Sequence, residues 1–221
     1  MASIEKVHAQ VTQPGASGGL LTEKKPQPAT LVFIGGGNMA ASLIGGLVAD
    51  HYDPSHILVS DPEHEKLAAL SARFGVRSAA DNSEAAGQAD VLVLAVKPQM
   101  LKQVCGELRE TVQAGRPLVI SIAAGVREVF VQEWLGGDVP LVRTMPNTPA
   151  MIQAGATVLH ADGGVSQEQR NMAESVLRAV GLTLWVDREE DMDAATALSG
   201  SGPAYFFLAK SVASVARHIH P

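Results

Sequence analysis

A single cysteine, Cys105, stands in this chain of 221 residues, so no intrachain disulfide can form. That fits a reducing cytoplasm. Cys105 falls in a helix-forming stretch from Gln99 to Val112 with no second cysteine nearby, and it reads as a structural side chain rather than a nucleophile. No apolar stretch approaches the roughly 20 residues that a membrane-spanning helix needs. Positive charge is also in deficit: a net charge of −6 and an isoelectric point near 5.6 argue against nucleic acid or an anionic membrane as the main partner. No acid–base constellation stands out, and no metal site is expected. His218 and His220 have a spacing that a metal could use, but they read as a frayed tail. What remains is an ordinary globular composition, 46% hydrophobic and 18% charged, long enough for one full domain and part of a second.

Residues 1–30 stand apart from the rest. They hold Gly15, Gly18 and Gly19 and three prolines (Pro14, Pro26, Pro28), without a sustained period. They also lack the apolar core of a secretory signal. A disordered extension is expected there.

From Leu31 onward, apolar runs alternate with helical patterns. The expected strands are 31–35, 57–61, 91–96, 118–123, 140–145, 156–161 and 182–186. Several are nearly continuous in Val, Leu and Ile, as strands buried on both faces of a parallel sheet should be. The helix patterns have recognisable ends. Asp61-Pro62-Glu63 supplies a cap, a first-turn proline and an acid ahead of 66–74, which Gly75 closes. Ser166-Gln167-Glu168 opens another helix that runs to Gly181. The alternation specifies an α/β fold with a doubly wound, mostly parallel sheet over 31–187. After Asp187 the pattern becomes helical: a helix over 191–198, a turn over 199–202 and a helix from Pro203 to Ile219. Residues 188–221 thus look like the start of an all-helical second domain, which must pack on the first domain or on another chain.

Leu31-Val32-Phe33-Ile34 runs directly into Gly35-x-Gly37-x-x-Ala40, placing the glycines between a strand and a helix. Small residues serve three purposes here. Gly35 permits the tight turn, Gly37 lets backbone approach a pyrophosphate, and Ala40 lets the helix pack close to the strand. Amides at the start of the next helix, around Asn38 and Met39, would face the phosphates. The turn therefore predicts a Rossmann-type dinucleotide site.

Asp61, 21 positions past Ala40, has two readings. It holds the ribose hydroxyls of NAD, or it caps the following helix. Ser60 and neighbouring amides could instead receive a 2′-phosphate, so NADPH and NADH both stay open. Asn82 is a further candidate for the same cleft. Ala95-Val96-Lys97-Pro98 ends another strand at the ligand crevice; Pro98 stops the strand, and Lys97 is either a cation for the cofactor or an exposed loop lysine. Ala123 and Gly125, in Ser121-Ile122-Ala123-Ala124-Gly125-Val126, leave room for a flat nicotinamide ring.

Five strings together resemble the pyrroline-5-carboxylate reductase family. They are Phe33-Ile34-Gly35-Gly36-Gly37-Asn38-Met39-Ala40, Ala95-Val96-Lys97-Pro98-Gln99, Ser121-Ile122-Ala123-Ala124-Gly125, Arg143-Thr144-Met145-Pro146-Asn147-Thr148-Pro149 and Ser199-Gly200-Ser201-Gly202-Pro203-Ala204-Tyr205. They fall in the family's order over about 31–208. The resemblance implies reduction of 1-pyrroline-5-carboxylate to L-proline with NADPH or NADH, the last step of proline biosynthesis, by a cytoplasmic homo-oligomer. An imine is basic enough to arrive protonated, so hydride transfer needs positioning more than a strong acid. By the same resemblance, Asn147 and Thr148 form the wall under nicotinamide and imine, or merely cap a turn held by two prolines. Ser201 and Gly202 offer amides to the substrate carboxylate, or merely an N-cap before Pro203.

The resemblance lapses after Leu208. The family's later Ser-Pro-Gly-Gly-Thr-Thr-like loop and flanking helices have no counterpart, so the expectation is a chain that binds nucleotide but reduces the imine poorly or not at all. Two other readings stand beside it. One is a nucleotide-binding remnant without turnover. The other is a β-hydroxyacid-dehydrogenase-like reductase, whose catalytic lysine falls where this chain has Phe206.

Overall fold

A computed structural model describes residues 28–195. Most of the expected N-terminal extension lies outside the described residues, as do Ser199–Gly202, the helix expected from Pro203, Phe206 and the His218/His220 pair.

The described chain is an eight-stranded sheet with helices on both faces. Its order is β3-β2-β1-β4-β5-β6-β7-β8. Strands β1 (Leu31–Ile34), β2 (Ile57–Ser60), β4 (Val91–Leu94) and β5 (Leu118–Ser121) are buried at every position. Alternate side chains of β1 go to opposite faces. Leu31 and Phe33 join a core with α1 (Asn38–Ala49), α2 (His64–Phe74) and α6 (Gln167–Arg178). Val32 and Ile34 join a second core with α3 (Asn82–Ala86), α4 (Pro98–Gly115) and α5 (Glu128–Leu135). Burial on both faces is why these strands are apolar throughout. No helix among the described residues is long and apolar enough to cross a membrane.

Strands β1 to β6 (Leu141–Met145) run parallel, with β3 (Arg77–Ala79) at one edge. Strand β7 (Gly155–Ala161) turns antiparallel to β6, and β8 (Gly181–Trp185) returns parallel to β7 at the other edge. The chain winds from β1 out to β3, then crosses back to place β4 beside β1. That reversal opens a crevice at the carboxyl ends of the strands.

Several expected boundaries shift. Gly35, Asp61, Ala95, Val96, Ile122 and Ala123 lie past the ends of their strands, in the turns that form the crevice rim. Helix α2 starts at His64 with Glu63 as its N-cap, not Asp61. Pro98 is the first residue of α4. The α6 helix stops at Arg178, and Gly181 opens β8 instead. Helix α7 (Asp191–Ala195) begins where the helical pattern was expected, up to the last described residue.

Candidate functional site

Three strand ends converge on Gly35. Its N–H donates to the Ser60 carbonyl at 2.7 Å, and the Ala95 N–H donates to the Ile34 carbonyl at 2.8 Å. Gly35 holds φ at +103°, and a Cβ there would sit 2.7 Å from the Ala95 carbonyl oxygen. Only glycine satisfies both conditions. Gly37 is the N-cap of α1 and has no side chain over the helix start. A Cβ on Gly37 would meet nothing within 4 Å, so the backbone lies open there. Amides at such a helix start lack intrahelical acceptors and attract anions. Ala40, 1% exposed, packs into the core behind the turn.

Asp61 is buried, and both of its carboxylate oxygens are engaged. Oδ2 accepts the Gly36 N–H at 2.8 Å, and Oδ1 accepts the Glu63 N–H at 2.8 Å. The acid at the end of β2 therefore staples the glycine turn to the start of α2. The expected helix cap is replaced by this bridging role, while the side chain still lines the cleft. Lys66 Nζ lies 4.0 Å from Asp61 and 2.6 Å from Glu63. Next to it, the Ser60 hydroxyl donates to Asn82 Oδ1 at 2.8 Å, linking β2 to the start of α3.

These residues surround a cleft of about 840 Å³. It brings together eight of the residues expected from sequence: Gly35, Gly37, Ser60, Asp61, Asn82, Ala95, Val96 and Lys97. Asn38, Met39, Ala40 and Pro98 stand at the starts of α1 and α4 and are not among the lining residues. Ala123 is buried, and Gly125 (φ +74°) lies in the turn after β5, one strand further along. Lys66 and one side of α4, formed by Met100, Gln103, Val104 and Glu107, also line the cleft and were not anticipated. The spacing of those four after Pro98 is that of one helix face, which is the signal that marks them. A second cleft, about 660 Å³, lies at the opposite end of the sheet around Arg116, Asp138 and Gln169.

The Arg143–Pro149 string leaves the carboxyl end of β6, two strands from β4, and none of its residues lines the cleft at Gly35. The Thr144 hydroxyl donates to the Ser121 carbonyl at 3.1 Å, fixing β6 to β5. Asn147 is 9% exposed, and its Oδ1 accepts the Ala156 N–H at 2.9 Å. Thr148 is exposed at the head of a 3₁₀ turn, Thr148–Ile152. Ser201 and Gly202 lie outside the described residues.

The first residue of the string, Arg143, belongs to a buried polar cluster that the sequence did not announce. Arg143, 3% exposed, pairs with Glu189 at 2.9 Å and Asp193 at 3.4 Å. On the adjacent strand, His160 Nδ1 lies 2.8 Å from Glu128 Oε1. Burial pushes the Glu128 carboxyl above its ordinary value, against the pull of His160.

The chain is similar to known reductases over most of its length. A family model described as NADP oxidoreductase, coenzyme F420-dependent, matches residues 30–125. A pyrroline-5-carboxylate reductase from Pseudomonas aeruginosa is 48% identical over 178 residues, covering 80% of this chain and 65% of that protein. The structure of a pyrroline-5-carboxylate reductase from Coxiella burnetii superposes with a TM-score of 0.82 at 44% identity, covering 87% of this chain and 72% of the other. That of a Plasmodium falciparum pyrroline carboxylate reductase with NADP bound gives 0.72 at 26% identity, covering 81% and 65%. The chain spans about 65% of the length of the curated relatives it matches. With an identity of 44% across 72% of a solved reductase, the chain belongs to the pyrroline-5-carboxylate reductase family.

Proposed function

We propose that this chain binds NADPH or NADH in the cleft at Gly35–Ala40 and reduces 1-pyrroline-5-carboxylate to L-proline. The observation that carries the reading is the junction of Gly35, Ser60 and Ala95, a cradle that a single Cβ would fill. Bound nicotinamide would supply a hydride to the imine carbon. The protein's share is to orient and exclude water, because a cyclic imine arrives already protonated.

In this reading the amides around Gly37, Asn38 and Met39 take the pyrophosphate, and Ser60, Asp61 and Asn82 take the adenosine ribose. Ala95, Val96, Lys97 and Pro98 line the path toward the nicotinamide, with Ala123 and Gly125 beyond them. Asn147 and Thr148 are proposed for the substrate side, together with Ser201 and Gly202. Residues 31–187 act as the dinucleotide-binding unit, and 188–221 open a helical unit. Assembly with further copies and a cytoplasmic setting belong to the same proposal, the latter in keeping with a single, buried cysteine.

The test is a titration of the purified chain with NADPH and NADH, followed by their oxidation with pyrroline-5-carboxylate. Cofactor binding with proline formation supports the reading and overturns the expectation of poor reduction drawn from the resemblance. Binding without turnover would reduce the reading to nucleotide binding, and failure to bind either nucleotide would remove it.

A further inference from the structure

We propose that Asp61, stapled to the glycine turn and backed by Glu63, makes this chain select NADH over NADPH. The inference rests on the dinucleotide reading above. It goes beyond it, because neither the fold nor the family settles which nucleotide is preferred.

A 2′-phosphate would have to sit at the adenosine ribose. In a crevice of this topology the residue ending β2 faces the adenosine ribose. NADP sites commonly place an arginine there, to fork onto the phosphate. Among the described residues, no arginine lines this cleft. Its charged walls are Asp61, Glu63, Asp81 and Glu107 against Lys66 and Lys97. Lys66 is committed to Glu63 at 2.6 Å and stands 4.0 Å from Asp61, so the acids already claim the nearest cation.

Asp61 cannot easily move aside. It is 6% exposed and accepts two backbone amides, one from the glycine turn and one from the start of α2. Swinging it away would leave the buried Gly36 amide without its acceptor. A phosphate monoester near pH 7 carries close to two negative charges and would be held beside this fixed carboxylate. Two ribose hydroxyls, by contrast, can donate to oxygens that each retain a lone pair. The same bonds that shape the pyrophosphate turn therefore set the nucleotide preference.

Dissociation constants for NADH and NADPH, measured on the full chain by nicotinamide fluorescence, test this without any turnover. Expected is a Kd for NADH lower by about tenfold or more, with the gap narrowing as salt screens the carboxylates. Asp61→Asn should shift the ratio toward NADPH. Glu63→Lys should shift it the same way while leaving both Asp61 amide bonds in place, and Glu63 is exposed enough for the variant to fold. A ratio of one, or one favouring NADPH, overturns the selectivity and leaves the dinucleotide reading intact. A ratio that neither variant moves overturns the role of Asp61. Absence of binding by either nucleotide overturns both readings.

Discussion

Arg143 Nη1 lies 2.9 Å from Glu189 Oε1, and that same oxygen accepts the backbone N–H of Glu128 at 2.7 Å. One carboxylate thus joins the middle of β6, the first turn of α5 and the segment entering α7. It ties the sheet to the start of the helical sequence. Glu189 is the nearer and more buried of the two carboxylates that compensate the Arg143 guanidinium.

Replacing Arg143 with Met should therefore destabilise the protein by about 3 kcal/mol, since a largely buried carboxylate would lose its cation. Asp193 also contacts Arg143, but at 3.4 Å and with its side chain 64% exposed. Asp193→Asn should change stability by no more than about 0.5 kcal/mol. Urea unfolding of both variants decides it, and equal losses would mean the exposed partner matters as much as the buried one.

Glu128 adds a pH dependence of definite sign. Burial is the main cause of its raised pKa, Glu189 and Asp162 add to it, and His160 opposes it. Because the folded value exceeds the ordinary 4.5, the native state keeps a proton that the unfolded chain has released. The stability this gives is complete below the unfolded value and is lost as pH rises through the folded one. Glu128→Gln should therefore gain on the parent chain as pH rises above about 4.5, the window in which the folded carboxyl gives up its proton. Unfolding free energies that run parallel across that window would contradict the assignment.

How much of this was legible beforehand depends on sequence distance. The strands buried on both faces announce themselves as apolar runs, and the Ser166 cap of α6 appears as a full capping box. Strand β3 does not announce itself. Arg77 and Ser78 are exposed, because an edge strand can face water. Helix α3 is only five residues long, too short for a period. In the site, Gly35 was readable from local chemistry, whereas the Asp61 staple spans 25 positions and shows only in three dimensions. The cluster of Glu128, Arg143, His160 and Glu189 draws on four distant segments, so no local pattern could reveal it.

Gly35→Ala should be severe for a local reason. The left-handed φ costs an L-residue roughly 1–2 kcal/mol, before the contact with Ala95 is counted. Relief requires β1 and β4 to part at the cleft. The melting temperature should fall and NADH binding should be lost together. A variant that bound NADH normally would show that the turn is not the phosphate cradle.

Cys105 should be inert in the folded protein. It is buried in the core beside β4, and burial pushes its thiol up to about 12. At pH 8 the thiolate fraction is then on the order of one in ten thousand. A thiol reagent should label the chain only as fast as it unfolds, with urea accelerating the reaction. Rapid labelling of the native protein would show that α4 opens locally.

Asn147 and Thr148 are neighbours whose variants should separate structure from function. The Asn147 amide oxygen holds the Ala156 N–H, so Asn147→Ala leaves a donor at the start of β7 without its acceptor. That should cost about 1–3 kcal/mol and loosen the turn carrying Thr148. Thr148 is exposed, and its hydroxyl has no partner among the described residues. Thr148→Ala should therefore leave stability within about 0.5 kcal/mol. If Thr148 faces the reacting imine, the same variant should raise KM or lower kcat. Loss of activity in Asn147→Ala means little unless stability is measured beside it, whereas loss in a fully stable Thr148→Ala assigns the hydroxyl to substrate. Unchanged kinetics in Thr148→Ala would move the substrate wall elsewhere along the turn.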